Sequence, residues 1–263
     1  MSRTTILVLI LVLLIGGTVL LFRRSALVKE NITSAEQIAL TGHRDDGSPA
    51  WSIQAQSGSL NKDTGLLKTV ELAFFKESNA PIVVHGDRLY RDTGGSTLSG
   101  SIVVEQSDTL SMVTETIFWD ERNDVLESGP VVVEMESALI EAGAFHHNLG
   151  SGLTTLTQGI EAQLIQDDAE YTVRSEAAEA TSDQLALIGN VSIQSEDGDS
   201  YNCKRLESDP SGSSIQLIDE VSGMWQESAF SASNVQLDIS GIRLSGDVTI
   251  DLELLMMDEP HDS

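Results

Sequence analysis

A chain of 263 residues can bury a sizeable core, and its 40% hydrophobic content exceeds that of disordered proteins. Its 41 acidic and 15 basic residues give a formal net charge of −26, which excludes nucleic acid as the main partner and argues against docking on an anionic membrane. The single cysteine, Cys203, excludes an intramolecular disulfide and a cysteine-based zinc cluster.

An uncharged stretch rich in Ile, Leu and Val occupies residues 4–22. As a helix it spans about 28 Å, which matches the hydrocarbon core of a bilayer. We therefore predict a cytoplasmic tail over 1–3, a transmembrane helix over 4–22 and a linker over 23–33. The competing interpretation, a cleaved signal peptide, would need a small-residue cleavage site, whereas Arg23 and Arg24 follow directly. The basic residues on the two sides do not decide the orientation, but a short tail before a large acidic domain favours export of that domain.

Beyond the linker, short runs of alternating apolar residues recur between Gly, Asp, Asn and Ser, without helical periodicity. A second alternating strand and a polar turn complete each unit. A glycine stands two residues before several runs, as in Leu98-Ser-Gly-Ser-Ile102, Leu187-Ile-Gly-Asn-Val191 and Leu244-Ser-Gly-Asp-Val248, and predicts a bend or bulge. The runs begin at separations of 32, 29, 29, 31, 30 and 27 residues, at Val70, Ile102, Val131, Ile160, Val191, Val221 and Val248.

These units predict an all-β fold of about 14–16 antiparallel strands, an elongated twisted β-jellyroll or roll in which two sheets face each other. If each unit gave one strand to each sheet, three units would lengthen the roll by about 14 Å. Only 5% of the residues are aromatic, so few large side chains can fill the middle. We therefore expect a partly open apolar trough that binds alkyl chains, at about 0.8 kcal/mol per buried methylene.

Alternation predicts which side chains line this trough, although a plain core role is the alternative for each residue taken alone. The predicted lipid-binding residues are Ile53, Val70, Leu72, Phe74, Ile102, Val104, Val131, Val133, Val191, Ile193, Val248, Ile250 and Leu252.

Six segments after the predicted anchor form a series that carries a family resemblance. They are Trp51-Ser-Ile-Gln-Ala-Gln, Val70-Glu-Leu-Ala-Phe-Phe, Val83-Val-His-Gly-Asp-Arg-Leu-Tyr, Leu98-Ser-Gly-Ser-Ile-Val-Val, Thr114-Glu-Thr-Ile-Phe-Trp-Asp120 and Glu127-Ser-Gly-Pro-Val-Val-Val. Together with the anchor, they resemble LptC, the membrane-anchored periplasmic component of lipopolysaccharide export. The resemblance covers about residues 1–165.

The resemblance implies a twisted β-jellyroll with a hydrophobic groove, located in the periplasm and anchored in the cell inner membrane by one span. It implies that the chain receives lipopolysaccharide from the permease subunits of an inner-membrane ABC transporter. A soluble LptA-like bridge protein of the same fold would then take the lipid, joined edge to edge through terminal strands. No catalytic residue, cofactor or metal is expected, since the transporter's ATPase supplies the energy.

The chain is longer than its LptC-like counterparts, which end near the equivalent of residue 165. We therefore predict an LptC-like jellyroll over 34–165, additional LptA/OstA-like repeats continuing the roll over 166–255, and an acidic tail over 256–263. Our hypothesis is that the added repeats carry part of the bridge. After residue 24 there are 12 basic and 41 acidic residues, a net of −29, so acyl chains rather than head groups are expected to be recognised.

Other candidate sites in the sequence are weak. His146-His147 lacks further metal ligands nearby, Cys203 falls on an inward position, and Glu196-Asp-Gly-Asp-Ser200 is predicted as a hairpin turn rather than a calcium loop. Two other function classes remain open. A membrane-anchored structural or adhesive β-solenoid would have a packed interior without a groove, and a carbohydrate-active β-helix enzyme would need clustered basic and aromatic residues.

Overall fold

The computed structural model describes residues 33–61, 64–75, 80–107, 110–166, 169–209, 214–225, 228–238 and 241–251. The predicted tail over 1–3, the predicted transmembrane helix over 4–22, nearly all of the linker over 23–33 and the acidic tail over 256–263 lie outside these residues. Among the residues described, no helix is long and apolar enough to cross a membrane.

The described chain consists of β-strand segments joined by turns, as the alternating pattern predicted. The segments are β1 (Thr33–His43), β2 (Pro49–Leu60), β3 (Gly65–Phe74), β4 (Ile82–Arg91), β5 (Ser96–Ser107), β6 (Leu110–Asp120), β7 (Val125–Ser128), β8 (Val131–Met135), β9 (Ala138–Asn148), β10 (Thr154–Gln166), β11 (Ala169–Ser175), β12 (Ala177–Ala180), β13 (Leu185–Ser195), β14 (Ser200–Ser208), β15 (Ser214–Trp225), β16 (Ser228–Asp238), β17 (Gly241–Ser245) and β18 (Thr249–Asp251).

Every strand pairs antiparallel with its neighbours in sequence, so the fold is one continuous meander. Three strands are interrupted: β7 and β8 both pair with β6 and β9, β11 and β12 both pair with β10 and β13, and β17 and β18 both pair with β16. Counting each interrupted strand once, the 18 segments make 15 strands, since 18 − 3 = 15. This number lies within the predicted range of 14–16.

Short polar side chains close the hairpins on one side of the sheet. The Asp92 Oδ1 atom accepts a hydrogen bond from the Gly94 N–H at 2.7 Å, and the Asp120 Oδ1 atom accepts one from the Arg122 N–H at 2.9 Å. The Asn148 Oδ1 atom accepts a hydrogen bond from the Ser151 N–H at 2.7 Å. These contacts satisfy turn amides that the strand ladders leave unpaired, which confirms the predicted turn chemistry.

A line of bends crosses the sheet near the middle of the strands. It is marked by residues with positive φ, namely Gln37, Thr69, Gly100, Gln158, Gly159, Gly189, Asn190, Asp219, Glu220 and Gly246, and by the breaks between β7 and β8 and between β11 and β12. The predicted bend glycines are confirmed, because Gly100, Gly189 and Gly246 have φ of 112°, 78° and 69°. We call this feature the bend line.

The bend line folds the single sheet into two layers that share one core. Layer A is the half of each strand on the side of the turns at 92–95, 121–124 and 149–153, and layer B is the half on the side of the turns at 44–48 and 136–137. The expectation that each repeat gives one strand to each sheet is therefore wrong, because every strand crosses both layers. Each repeat adds two strands to both layers, so three repeats lengthen the roll by about 29 Å rather than 14 Å.

The core is divided into two clusters that meet at Leu187. The first cluster contains buried residues from Ile53 to Ala178, and the second contains buried residues from Val191 to Val235. Leu187 packs against both clusters. Strand β10 runs through residue 165 without interruption, so the sheet itself is continuous across the predicted boundary between 34–165 and 166–255.

The side chain of Cys203 is buried in the second cluster, as predicted, and burial raises the pKa of its thiol. Because the thiolate is the reactive form, we expect iodoacetamide at pH 8 to alkylate Cys203 at least tenfold more slowly in the native protein than in urea. Mass spectrometry of the intact protein measures both rates. Equal rates would contradict the buried placement.

Candidate functional site

Layer B presents one unbroken row of cross-strand partners to the interior. Apart from Gly223, every member carries an apolar or aromatic side chain, and register places all of them on one face. From β1 to β18 the row is Leu40, Ile53, Leu72, Val84, Val104, Met112, Val133, Ile140, Ala162, Val173, Ile193, Tyr201, Gly223, Phe230 and Ile250.

The predicted lining residues fall on this row or beside it. Members of the row are Ile53, Leu72, Val104, Val133, Ile193 and Ile250; Val70, Ile102, Val131 and Val191 lie nearer the bend line, and Phe74 lies nearer the turns. Buried side chains are those of Ile53, Val70, Leu72, Phe74, Ile102, Val104, Val131 and Val191, whereas Val133 and Ile193 are partly buried and Val248 and Ile250 are exposed. Leu252 lies outside the described residues. Contact of any of them with lipid stays a prediction.

Layer A presents a second row that faces the first, and the sequence analysis did not assign it. The row is Ala35, Gly58, Leu67, Leu89, Leu98, Ile117, Ser128, Phe145, Leu156, Ala178, Leu187, Leu206, Leu217, Val235 and Leu244. A signal for it was present in the sequence, because Leu98, Leu187 and Leu244 are the leucines that open the recurring Leu-x-Gly-x-Val/Ile approach.

Three aromatic side chains join the two layers near the first strands. Trp119 of layer A packs edge-on against Trp51 and Phe74 of layer B, with ring centroids 5.4 and 5.0 Å apart. Such pairs stabilise a core beyond their area burial. The Trp119 side chain is 2% exposed, and its indole nitrogen has no hydrogen-bond partner among the described residues. This aromatic cluster closes the interior around β2–β6.

The interior opens in the later strands. Along the layer B row, the members in β2–β6 are all buried, whereas Val133, Ile140, Ile193, Tyr201 and Phe230 are partly buried. Ala162 and Val173 remain buried between them because small or β-branched side chains pack closely there. The interior is therefore filled at one end of the roll and partly accessible along the layer B row in the other half, where Leu206, Leu217 and Val235 of the layer A row stay buried.

A cleft of about 670 Å³ lies at the edge of this half, between the layer B ends of the hairpins β8–β9, β10–β11 and β13–β14. Its apolar lining includes Met135, Ala138, Leu164 and Tyr171, which are cross-strand partners in a row beside the layer B row, and also Leu139 and Ile165. Four carboxylates also line it, from Glu134, Glu136, Glu170 and Glu196, and none of its lining residues is basic. The cleft can admit an apolar chain but offers no cation to an anionic head group.

The weaker candidates have structural roles in the described chain. His146 and His147 point to opposite faces of β9: the His146 side chain is partly exposed, and His147 is buried with Nδ1 at 2.8 Å from the Thr154 hydroxyl. No group of three metal-ligating side chains occurs among the described residues. The segment Glu196–Ser200 is a hairpin turn with Gly198 at a φ of 97°, as predicted.

Comparisons with known proteins do not assign this chain to a family. The chain matches no protein-family model and no curated protein. Nine solved chains match it. One is LptH from Pseudomonas aeruginosa, described as the LptA homologous periplasmic component of the conserved lipopolysaccharide transport device. That match has a TM-score of 0.33 and 12% sequence identity, and it covers 38% of this chain and 75% of that chain. A TM-score of this size does not establish a shared fold.

Proposed function

We propose that this chain is a lipid-transfer protein that holds the acyl chains of lipopolysaccharide between its two layers. The observation that carries the proposal is the pair of facing, mostly apolar rows that run through the fifteen described strands, of which the layer B row becomes partly accessible after β6. The distance along the rows is about 67 Å at 4.8 Å per strand, far longer than one lipid. A continuous apolar path of this length suits movement of a lipid along the protein better than storage at one site.

We further propose the placement and partners that the LptC resemblance implies. Residues 4–22 anchor the chain in the inner membrane, and the β-roll lies in the periplasm. The permease subunits of an ABC transporter deliver lipopolysaccharide to the roll, and a soluble LptA-like bridge protein accepts it. Strands β1 and β17–β18 each pair with one neighbour in the described chain, so they offer main-chain groups for docking by strand addition.

The charge of the cleft supports recognition through acyl chains rather than phosphates. Four glutamates and no basic residue line the opening, so anionic head groups gain nothing from direct contact with it. In this proposal the head groups stay in water, alone or with divalent cations, while each buried methylene contributes about 0.8 kcal/mol.

A structural or adhesive β-solenoid is the second candidate, and the packed interior of β2–β6 favours it. Leu72, Val84 and Ile102 have almost no exposed surface, as in a solid core. A lipid could enter this end of the roll only if the aromatic cluster of Trp51, Phe74 and Trp119 moved apart. Lipid contact in the living cell distinguishes the two candidates.

Photo-crosslinking at adjacent residues provides the test. A photo-reactive side chain at Val133 faces the interior in its accessible half, whereas one at Val132 faces outward on the same strand. We expect lipopolysaccharide adducts at Val133 to exceed those at Val132 at least tenfold, and those at the fully buried Ile102 to be fewer than at Val133. Immunoblotting against lipopolysaccharide after irradiation of whole cells measures the adducts. Equal background signals at all three positions would support the solenoid instead.

A further inference from the structure

The two outward faces of the roll carry different charge. In each layer, the outward-facing side chains nearest the bend line form two rows of cross-strand partners, one on each side of the interior row. In layer A these rows hold four basic residues, Lys68, Arg88, Arg205 and Arg243, and four acidic ones, Glu36, Glu127, Glu179 and Glu207. In layer B they hold one basic residue, Arg174, and six acidic ones, Glu71, Glu105, Glu134, Glu141, Glu161 and Asp251. These two rows are thus neutral in layer A and carry −5 in layer B.

The basic residues of layer A include one pair of like charges on neighbouring strands. Lys68 and Arg88 are direct cross-strand partners on β3 and β4, and both are exposed. Like charges in this position repel each other. Neither side chain forms a salt bridge within the described part of the chain, although acidic residues far outnumber basic ones.

Apolar and aromatic side chains surround this pair. Leu66 and Tyr90 are cross-strand partners beside it and are 38% and 48% exposed, and the partly buried Phe118 follows in the same row. Thr97, Ser99 and Thr116 complete the surface, and the exposed Asp87 borders it beside Gly100. We call these eight residues the basic patch: Leu66, Lys68, Arg88, Tyr90, Thr97, Ser99, Thr116 and Phe118. Cations beside exposed aromatic and aliphatic side chains are typical of surfaces that meet lipid head groups.

We propose that the basic patch docks on the anionic surface of the bilayer in which the chain is anchored, and so orients the roll with layer A towards the membrane. The inference rests on the anchor in the proposed function. The patch lies two to five strands from β1, or about 10–24 Å. The predicted linker of 11 residues reaches at most about 40 Å, so the patch can meet the bilayer.

The net charge of the whole chain does not prevent this contact. At physiological ionic strength, interactions between exposed charges are screened beyond about 8 Å. Layer B packs about 10 Å behind layer A, so its acidic residues lie beyond this distance from a membrane that layer A contacts. Two cations near an anionic surface favour the docked orientation about thirtyfold. That bias would not hold a free protein on a membrane, but tethering keeps the patch at high local concentration.

Fluorescence quenching in vesicles tests the orientation. The full chain is reconstituted into vesicles of phosphatidylethanolamine and phosphatidylglycerol that contain a lipid with a nitroxide on its head group. One added cysteine, Thr97→Cys in the patch or Ser111→Cys on the outward face of layer B, carries a fluorophore, because the native Cys203 is buried. We expect the label at position 97 to be quenched at least fivefold more strongly than that at position 111. Equal quenching would overturn the proposal.

Two double variants serve as the test and its matched control. Lys68→Glu with Arg88→Glu should remove the difference in quenching, whereas Arg205→Glu with Arg243→Glu, the same change in net charge farther along layer A, should leave it. Replacing phosphatidylglycerol by phosphatidylcholine should also remove the difference in quenching. If the difference persisted in the Lys68→Glu, Arg88→Glu variant or in phosphatidylcholine, the docking proposal would be overturned.

Flotation of the vesicles separates the proposed anchor from the proposed docking patch. A chain that fails to float has no anchor, whereas a chain that floats with equal quenching has an anchor and no docking patch. Equal thermal unfolding midpoints show that the variants fold alike.

Discussion

Replacing Trp119 by alanine is expected to lower the free energy of unfolding by about 3–5 kcal/mol. The indole is 2% exposed and contacts both Trp51 and Phe74 across the two layers, so its removal leaves a cavity that neither ring can fill without moving. The cluster is also the contact that closes the interior at β2–β6. Urea unfolding followed by circular dichroism measures the change.

Trp225 provides the control for this substitution. It lies on β15 and is 42% exposed, so Trp225→Ala removes the same side chain without a comparable cavity. We expect Trp225→Ala to cost less than about 1 kcal/mol. Equal losses in the two variants would contradict the assignment of Trp119 as the residue that joins the layers.

Replacing Gly100 by alanine is expected to cost about 2–4 kcal/mol, because two separate effects oppose a Cβ atom at this position. Its φ of 112° lies where side chains are disfavoured, and the added atom would lie 2.6 Å from the Cβ atom of Asp87. Since Asp87 Cβ is fixed to the backbone, relief of this contact requires β4 to move.

Gly129 is the matched position for this substitution. It also lies at the bend line, between β7 and β8, but an added Cβ atom would meet nothing within 4 Å and its φ is not positive. Gly129→Ala should therefore change the free energy of unfolding by less than about 0.5 kcal/mol. If both alanine variants unfolded at the same urea concentration, the bend at Gly100 would not need glycine.

The all-β class, the strand number and the bend glycines could be predicted because each has a local cause. Alternation reports one buried face per strand, and the glycines of the recurring motif mark backbone that bends. The layer A row could not be predicted by continuing the alternation along each strand, because the bend shifts by one residue the positions that face the interior. In β3, Leu67 and Val70 both face the interior although they are three residues apart, since Thr69 between them has a φ of 51°.

The extent of the trough could not be derived from composition. A 5% aromatic content suggested an interior with few large side chains, yet Trp51, Phe74 and Trp119 are concentrated at one end and fill it. The basic patch could not be predicted from the sequence for a similar reason. A net charge describes the whole chain, whereas the pairing of Lys68 with Arg88 depends on the register between β3 and β4.

The meander has a consequence for how the chain acquires its structure. Because each strand hydrogen-bonds only to strands adjacent in sequence, the pairing between strands requires no long loop to close, and contact order stays low for an all-β protein. The N-terminal hairpins hold the larger of the two hydrophobic clusters and form a template onto which later hairpins can add one at a time. A polypeptide that emerges from a translocation channel with its N-terminus first can therefore fold in the order of its emergence, without waiting for its last residue.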